Sequence, residues 1–419
     1  MIVTNWTGIE VRALRTVALR VTQEKFAEIL GFTTAAVVKW EGRRETITLQ
    51  GRYAAEMDMI LRRLDHSQLA RFEAALSSSG LSAINATELD PFENPTEIAG
   101  RVQSVTEMDA DSDVVAVFSL GVDDVVDRYE LEGPLRLAPG VIESRRQVEA
   151  LLQHRRNPAQ LRQLYEIAGR LSGVLGYMAV NRGRFAHAKM YCREAFAIGQ
   201  LLGDPELQAW VRGTESFCAY YQGDYAAAVR LAYQGLDLAG QGPQAIRLYS
   251  NGLARALGKV GDTAGVEAAI EAATDVARRL GTSPSLTPAL DFTPYGEARL
   301  MANAATAFLS AGDYGRALHF GQQVQDRIDE SDSVWSRSLV RLDMAAALLG
   351  DEDRDVEHAV QLGIEALTAS QDRPIRSVWQ RANDLAALLR TIPTAASMRY
   401  LIELETWAPA AREFAAPEL

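Results

Sequence analysis

Four short segments of the chain share one layout: NRGRFAHA (181–188), YQGDYAAA (221–228), KVGDTAGV (259–266) and SAGDYGRA (310–317). Each sets a glycine (Gly183, Gly223, Gly261, Gly312), then a mostly aromatic residue two places on, then a small or β-branched residue three further. Helical spacing of apolar residues flanks every one, so each segment reads as the tight turn of a helix pair, with glycine permitting the turn. Twelve places before the small residue stands another small one, at Gly176, Ser216, Ala254 and Ala305, where two helices can approach closely. A unit of this kind cannot bury its apolar face alone and must stack on its neighbours. The predicted fold class is therefore all-α, with an α-solenoid of helix pairs from about residue 161; the competing reading is a generic helical bundle. The glycines lie 40, 38 and 51 residues apart. The long interval holds GTSPSLTPALDFTPYG (281–296), whose three prolines exclude one regular helix. It reads either as a flap over the repeats or as an inert insertion. A fifth unit (Trp335–Thr368) and a sixth (Ile375–Leu389) lack the turn signature, and their register stays open.

The chain has 419 residues, 47% of them hydrophobic, enough for more than one domain with a real core. Three regions separate: a helical head at 1–64, a more acidic helical connector at 65–160, and the repeat region at 161–419. Within the connector, Ser77–Gly80 and Asp90–Pro95 read as loops, whereas Asp113–Glu130 and Val141–Gln153 keep helical spacing. Net charge is −12, but it is uneven. Residues 1–64 carry ten Lys/Arg against seven Asp/Glu, and the rest carries 33 against 48. A basic head can dock on nucleic acid that an acidic body repels. No run of 18 apolar residues occurs, so no membrane span is expected. The opening MIVTNWTGIEVRALR lacks a signal peptide's layout, and Cys192 and Cys218 fall in apolar helical patterns as reduced core thiols; both lead to the expectation of a cytoplasmic protein.

Residues 21–45, VTQEKFAEILGFTTAAVVKWEGRRE, carry the most chemistry. Thr22 is placed to cap one helix, Gly31 to end it at positive φ, and Thr33 to cap a second. Phe26, Ala27 and Leu30 face one side, Phe32 plugs the turn, and Val37 and Trp40 return to the core. Two helices joined by so short a turn form the arrangement that sets the second in a DNA major groove. The segment resembles the helix-turn-helix of the phage repressor and Xre family at Gln23, Ala27, Gly31, Val37, Trp40 and Glu41. The turn segments, likewise, resemble the tetratricopeptide family, with a longer period. The whole chain is similar to actinobacterial Xre regulators that carry tetratricopeptide repeats, through QAWVRGTESFCAYYQGDY and RPIRSVWQRANDL.

The resemblance implies a small helix-turn-helix domain followed by a tetratricopeptide-like array. It implies that Gln23 bonds a DNA phosphate and that Thr33, Thr34, Ala35, Val38 and Lys39 face bases or flanking phosphates. Thr and Lys can hydrogen-bond bases, Ala and Val can meet thymine methyls, and Arg43 and Arg44 suit phosphate contact. No Arg, Asn or Gln stands at the base-reading places, which points to DNA shape as a further determinant. The other reading is a structural three-helix module with a solvated Lys39–Arg43–Arg44 edge. In the array, the family's inner positions fall on Arg170, Tyr177, Asn181, Trp210, Tyr221, Asn251, Arg255, Arg299, Asn303 and Arg341. Such a set suits a groove for a peptide or a small anionic effector; alternatively, its arginines pair with acids on adjacent helices.

The expected function is a transcriptional regulator, a homodimer on a palindromic double-stranded operator. The alternative is a tetratricopeptide interaction adaptor whose head binds no DNA. No enzyme, metal or cofactor signature was found: His66, His154, His187, His319 and His358 form no metal spacing, and no phosphate-cradling glycine loop occurs.

Overall fold

The computed structural model describes residues 5–43, 47–64, 112–154, 158–329 and 333–408, with a few isolated positions besides. Among them the fold is all-α, apart from a two-residue antiparallel bridge of Trp6–Thr7 with Thr48–Leu49. The chain divides into two compact units, Met1–Leu89 and Asp90–Leu419.

In the first unit, α1 (Gly8–Ala13) runs on into a π-helical turn (Leu14–Leu19), followed by α2 (Gln23–Leu30), α3 (Thr34–Gly42) and α4 (Arg52–Arg63). Thr22 caps α2 by accepting from the Lys25 amide at 3.3 Å, and Thr33 caps α3 by accepting from Ala36 at 3.3 Å. Between them Gly31 takes φ 70°, the left-handed conformation that stops α2 after two turns. Phe26, Ala27, Leu30, Val37 and Trp40 enter the core. Phe32 is only half-buried rather than a sealed plug. It lies 5.5 Å from Trp40 and 5.1 Å from Tyr53, its ring shared between core and surface.

The second unit begins with α5 (Ser112–Glu132) and α6 (Pro134–His154), both packed on α7 (Pro158–Asn181). The later part of the expected connector thus belongs to the same unit as the repeats; its two expected loops lie outside the described residues. Helix pairs follow: α7 with α8 (Phe185–Leu202), and α9 (Pro205–Tyr221) with α10 (Tyr225–Ala239). The next first helix is irregular. It passes from α11 (Gln244–Arg247) through a π-helical stretch (Leu248–Ala254) into α12 (Arg255–Lys259), and packs on α13 (Thr263–Leu280). Then come α14 (Glu297–Ser310) with α15 (Tyr314–Asp329), α16 (Val334–Gly350) with α17 (Val356–Ser370), and α18 (Arg376–Arg390) with α19 (Ala395–Trp407). Each first helix also touches the first helix of the next pair, so these helices form a continuous layer.

Gly183, Gly223, Gly261 and Gly312 take φ of 67, 81, 79 and 79° at the four turns. The small residues do sit at close approaches. A Cβ on Gly176 would stand 3.0 Å from Cys192 Sγ. The Ser216 hydroxyl donates to the Ala228 carbonyl at 2.8 Å across its pair, and Ala254 and Ala305 are buried. Both cysteines are buried thiols.

Candidate functional site

The layer of first helices, together with α5, lines a cavity in the second unit. Tyr177, Asn181, Tyr221, Asn251, Arg255, Arg299 and Asn303, all expected at inner positions, meet there. Centres of water-sized molecules can occupy about 70 Å³ of it, the room of about five waters.

Three expected groove residues lie elsewhere. Trp210 is fully buried in helix packing, its indole donating to the Asp291 carbonyl at 3.0 Å. Arg170 is exposed, its guanidinium 5.4 Å over the Phe292 ring. Arg341 pairs with Glu365 at 3.6 Å on the neighbouring helix. In each case a partner outside the layer claims the side chain, and position along the repeat alone does not report this.

The cavity carries three guanidinium groups and two carboxylates. Arg299 is saturated: it pairs with Glu130 at 2.6 Å and donates to the Thr287 carbonyl at 2.7 Å and the Ser336 hydroxyl at 3.0 Å. Arg381 pairs with Asp343 at 2.6 Å and donates to Thr306 at 3.2 Å. Intramolecular neutralisation, open at the level of sequence, is therefore realised for these two. Arg255 differs. It is 4% exposed and donates to the side-chain Oδ1 of Asn251 and, at 2.9 Å, to the Tyr221 hydroxyl. It also stands 4.6 Å over the Tyr220 ring. None of these partners is a carboxylate, and its Nε has no hydrogen-bond partner. The amide nitrogen of Asn303 on the same wall is likewise buried and unpartnered. Burial alone would raise the Tyr221 phenol, but Arg255 and Arg381, both bonded to its oxygen, hold its pKa below the ordinary value. Burial pushes Tyr129 and Tyr177 the other way, well above it.

The proline-bearing stretch 281–296 forms part of the cavity wall through Ala289 and Tyr295. It is tied at many points rather than flapping free. The Ala289 amide donates to Glu130 at 2.7 Å, the Gln244 side chain to the Phe292 carbonyl at 2.7 Å, and Phe292 stacks on Trp210 at 4.6 Å. Leu290 is fully buried beneath it.

In the first unit, Thr33, Ala35, Val38 and Lys39 are exposed on one side of α3 and Thr34 is half-exposed, while Val37 and Trp40 hold the opposite side in the core. Val38 keeps 48% of its surface. Arg43 is exposed just past the helix; Arg44 lies outside the described residues. Gln23 is already engaged: its amide donates to Glu41 at 2.7 Å. Glu41 in turn receives Arg15 in a two-pronged pair at 2.6 and 2.8 Å, an arrangement that ties α2 and α3 to the π-helical turn after α1. A phosphate contact by Gln23 would have to use its remaining amide hydrogen.

Several cavity residues were not foreseen. Tyr129 and Glu130 come from α5, in the segment read as a connector, where one more acid among many gives no local signal. Asp343 and Arg381 come from the fifth and sixth units, whose register the sequence left open. Among the described residues, no group of three or more His, Cys, Asp or Glu is placed to hold a metal ion, and no helix is long and apolar enough to cross a membrane. No protein-family model and no curated protein matches the chain. The class is accordingly carried by the structure alone: an all-α protein with a short helix exposed along one side in one unit and, in the other, a cavity lined by three guanidinium groups and two carboxylates.

Proposed function

We propose that the chain is a cytoplasmic, non-enzymatic, sequence-specific DNA-binding regulator, its first unit a helix-turn-helix and its second a tetratricopeptide-like solenoid that takes an effector. The observation that carries this reading is the short helix α3. It follows a two-turn helix and a left-handed glycine, and its solvent side bears Thr33, Thr34, Ala35, Val38 and Lys39 with Arg43 beyond. A helix so presented fits the major groove, with an aliphatic side chain available for a thymine methyl and a lysine for base or phosphate. The surplus of basic residues in 1–64 supports attraction to the phosphate backbone. The size of the cavity favours a small molecule over a peptide as the effector.

The test uses a duplex that the protein itself selects from a random-sequence pool. Lys39→Ala combined with Arg43→Ala should weaken binding and lower the slope of log affinity against log salt by about 2, since each lost phosphate contact contributes about 0.9. The thermal unfolding midpoint should stay unchanged, because both side chains are exposed. Unaltered affinity and slope, or failure to enrich any duplex, would favour the adaptor reading, in which the head binds no DNA.

A further inference from the structure

The three arginines lining the cavity are not equivalent. Two have a carboxylate each; Arg255 has neutral partners only. The wall thus holds one more positive charge than negative, at a residue almost wholly withdrawn from water. An uncompensated buried charge is costly, and its cost falls if an anion enters. Two donors are also left over on the same wall, Arg255 Nε and the Asn303 amide nitrogen. The same lining includes aromatic and aliphatic side chains: Tyr177 and Phe217 stack at 5.0 Å with their rings parallel, and Leu339 and Val340 lie in it too.

We propose that this cavity is a binding site for a small monocarboxylate, its carboxylate on Arg255 and Asn303 and its short apolar body along the aromatic wall. The proposal deepens the effector reading above by naming the ligand's chemistry. One surplus positive charge is matched by a monoanion: a dianion, as phosphate is in mildly alkaline buffer, would leave a net negative charge among the same residues. Space for about five waters accommodates a short acid of about five non-hydrogen atoms. A carboxylate accepts from a guanidinium edge and an amide donor at once, so both unpartnered donors are used. Because Arg255 follows directly on the π-helical stretch, occupancy of the site bears on the one first helix that is not regular.

The full chain is titrated with sodium propanoate, with sodium phosphate and sodium chloride at matched ionic strength, and followed by calorimetry and by the thermal unfolding midpoint. Propanoate should bind saturably, one per chain, and raise the midpoint as expected for a ligand of the folded state. Chloride and phosphate should give neither effect. Asn303→Ala should weaken propanoate about tenfold, the loss of one hydrogen bond to a charged group. Arg255→Gln should abolish binding. Should that variant fail to fold, Asn303→Asp serves instead: it supplies the missing negative charge from the chain itself, and should raise the midpoint without ligand and eliminate propanoate binding. The proposal is overturned if phosphate binds in preference to propanoate, if propanoate binds Asn303→Asp as tightly as the unchanged chain, or if nothing binds. These readouts contain no DNA. Propanoate binding that leaves operator affinity untouched would overturn the regulator reading and leave the site standing.

Discussion

At the scale of single residues, the cavity is governed by what each arginine faces. Tyr221 reports this directly, since its oxygen accepts from Arg255 at 2.9 Å and from Arg381 at 3.1 Å. Its pKa is lowered in the folded chain, so its contribution to stability is present above the unfolded phenol value of about 10 and is lost as pH falls through the folded value. Alkaline absorbance titration should show one phenol ionising before the rest, and Tyr221→Phe should remove that step. The stability difference between the unchanged chain and Tyr221→Phe should grow as pH rises through the same window. Tyr129 and Tyr177, raised by burial, ionise later and do not obscure it. If no early-ionising phenol appears, the two guanidinium groups do not face this oxygen in solution. Sequence position found Arg255 and Tyr221 because both recur at inner places of a unit. It did not find Glu130, whose partners Arg299, Ser336 and Ala289 all come from distant helices and turns.

At the scale of elements, turns and caps were readable because their causes are local. Thr22, Gly31 and Thr33 do what their chemistry dictates within a few residues. The four repeat glycines all take positive φ. A Cβ at Gly223 would meet nothing within 4 Å, so its cost is purely conformational. Gly223→Ala should therefore lower stability by about 1–2 kcal/mol, the penalty of the left-handed region for an L-residue, with the cavity unaffected. Chemical denaturation measures it; a neutral substitution would mean the turn can re-form at negative φ. What local pattern could not give was the π-helical stretch Leu248–Ala254, or the fastening of 281–296. The structure gives no local cause for the first, and the second depends on indole and carboxylate partners far along the chain. The pro-rich text alone was compatible with both a flap and an insertion, and the observed wall is a third outcome.

At the scale of the whole molecule, the division of charge outlasts any single contact. The basic residues of the head exceed its acids by three, while the remainder carries fifteen more acids than bases. One recognition helix reads only a few base pairs, so a lone head would hold an operator poorly. The regulator reading therefore expects a homodimer on a palindrome with half-sites one helical turn, or a multiple, apart. Sedimentation at micromolar concentration should give twice the mass of the 45.9 kDa chain, and footprinting should protect both half-sites. A monomer protecting one half-site would count against it. The magnitude of any effector response is set by the ligand's differential affinity for the two states of the protein, however tightly it binds one of them.

The Glu130 carboxylate gathers partners 159, 169 and 206 positions away along the chain. Helix hairpins close over short loops and form quickly, whereas a junction of this span must wait until nearly all of them exist. The Glu130 junction is thus expected to close after the hairpins on either side of it. During synthesis Tyr129 can pack on Tyr177 and bond Asn181 of α7 soon after α5 emerges. The Glu130 carboxylate beside it waits for Ala289, Arg299 and Ser336, the last of them roughly ten to forty seconds behind at a translation pace of about 5–20 residues per second.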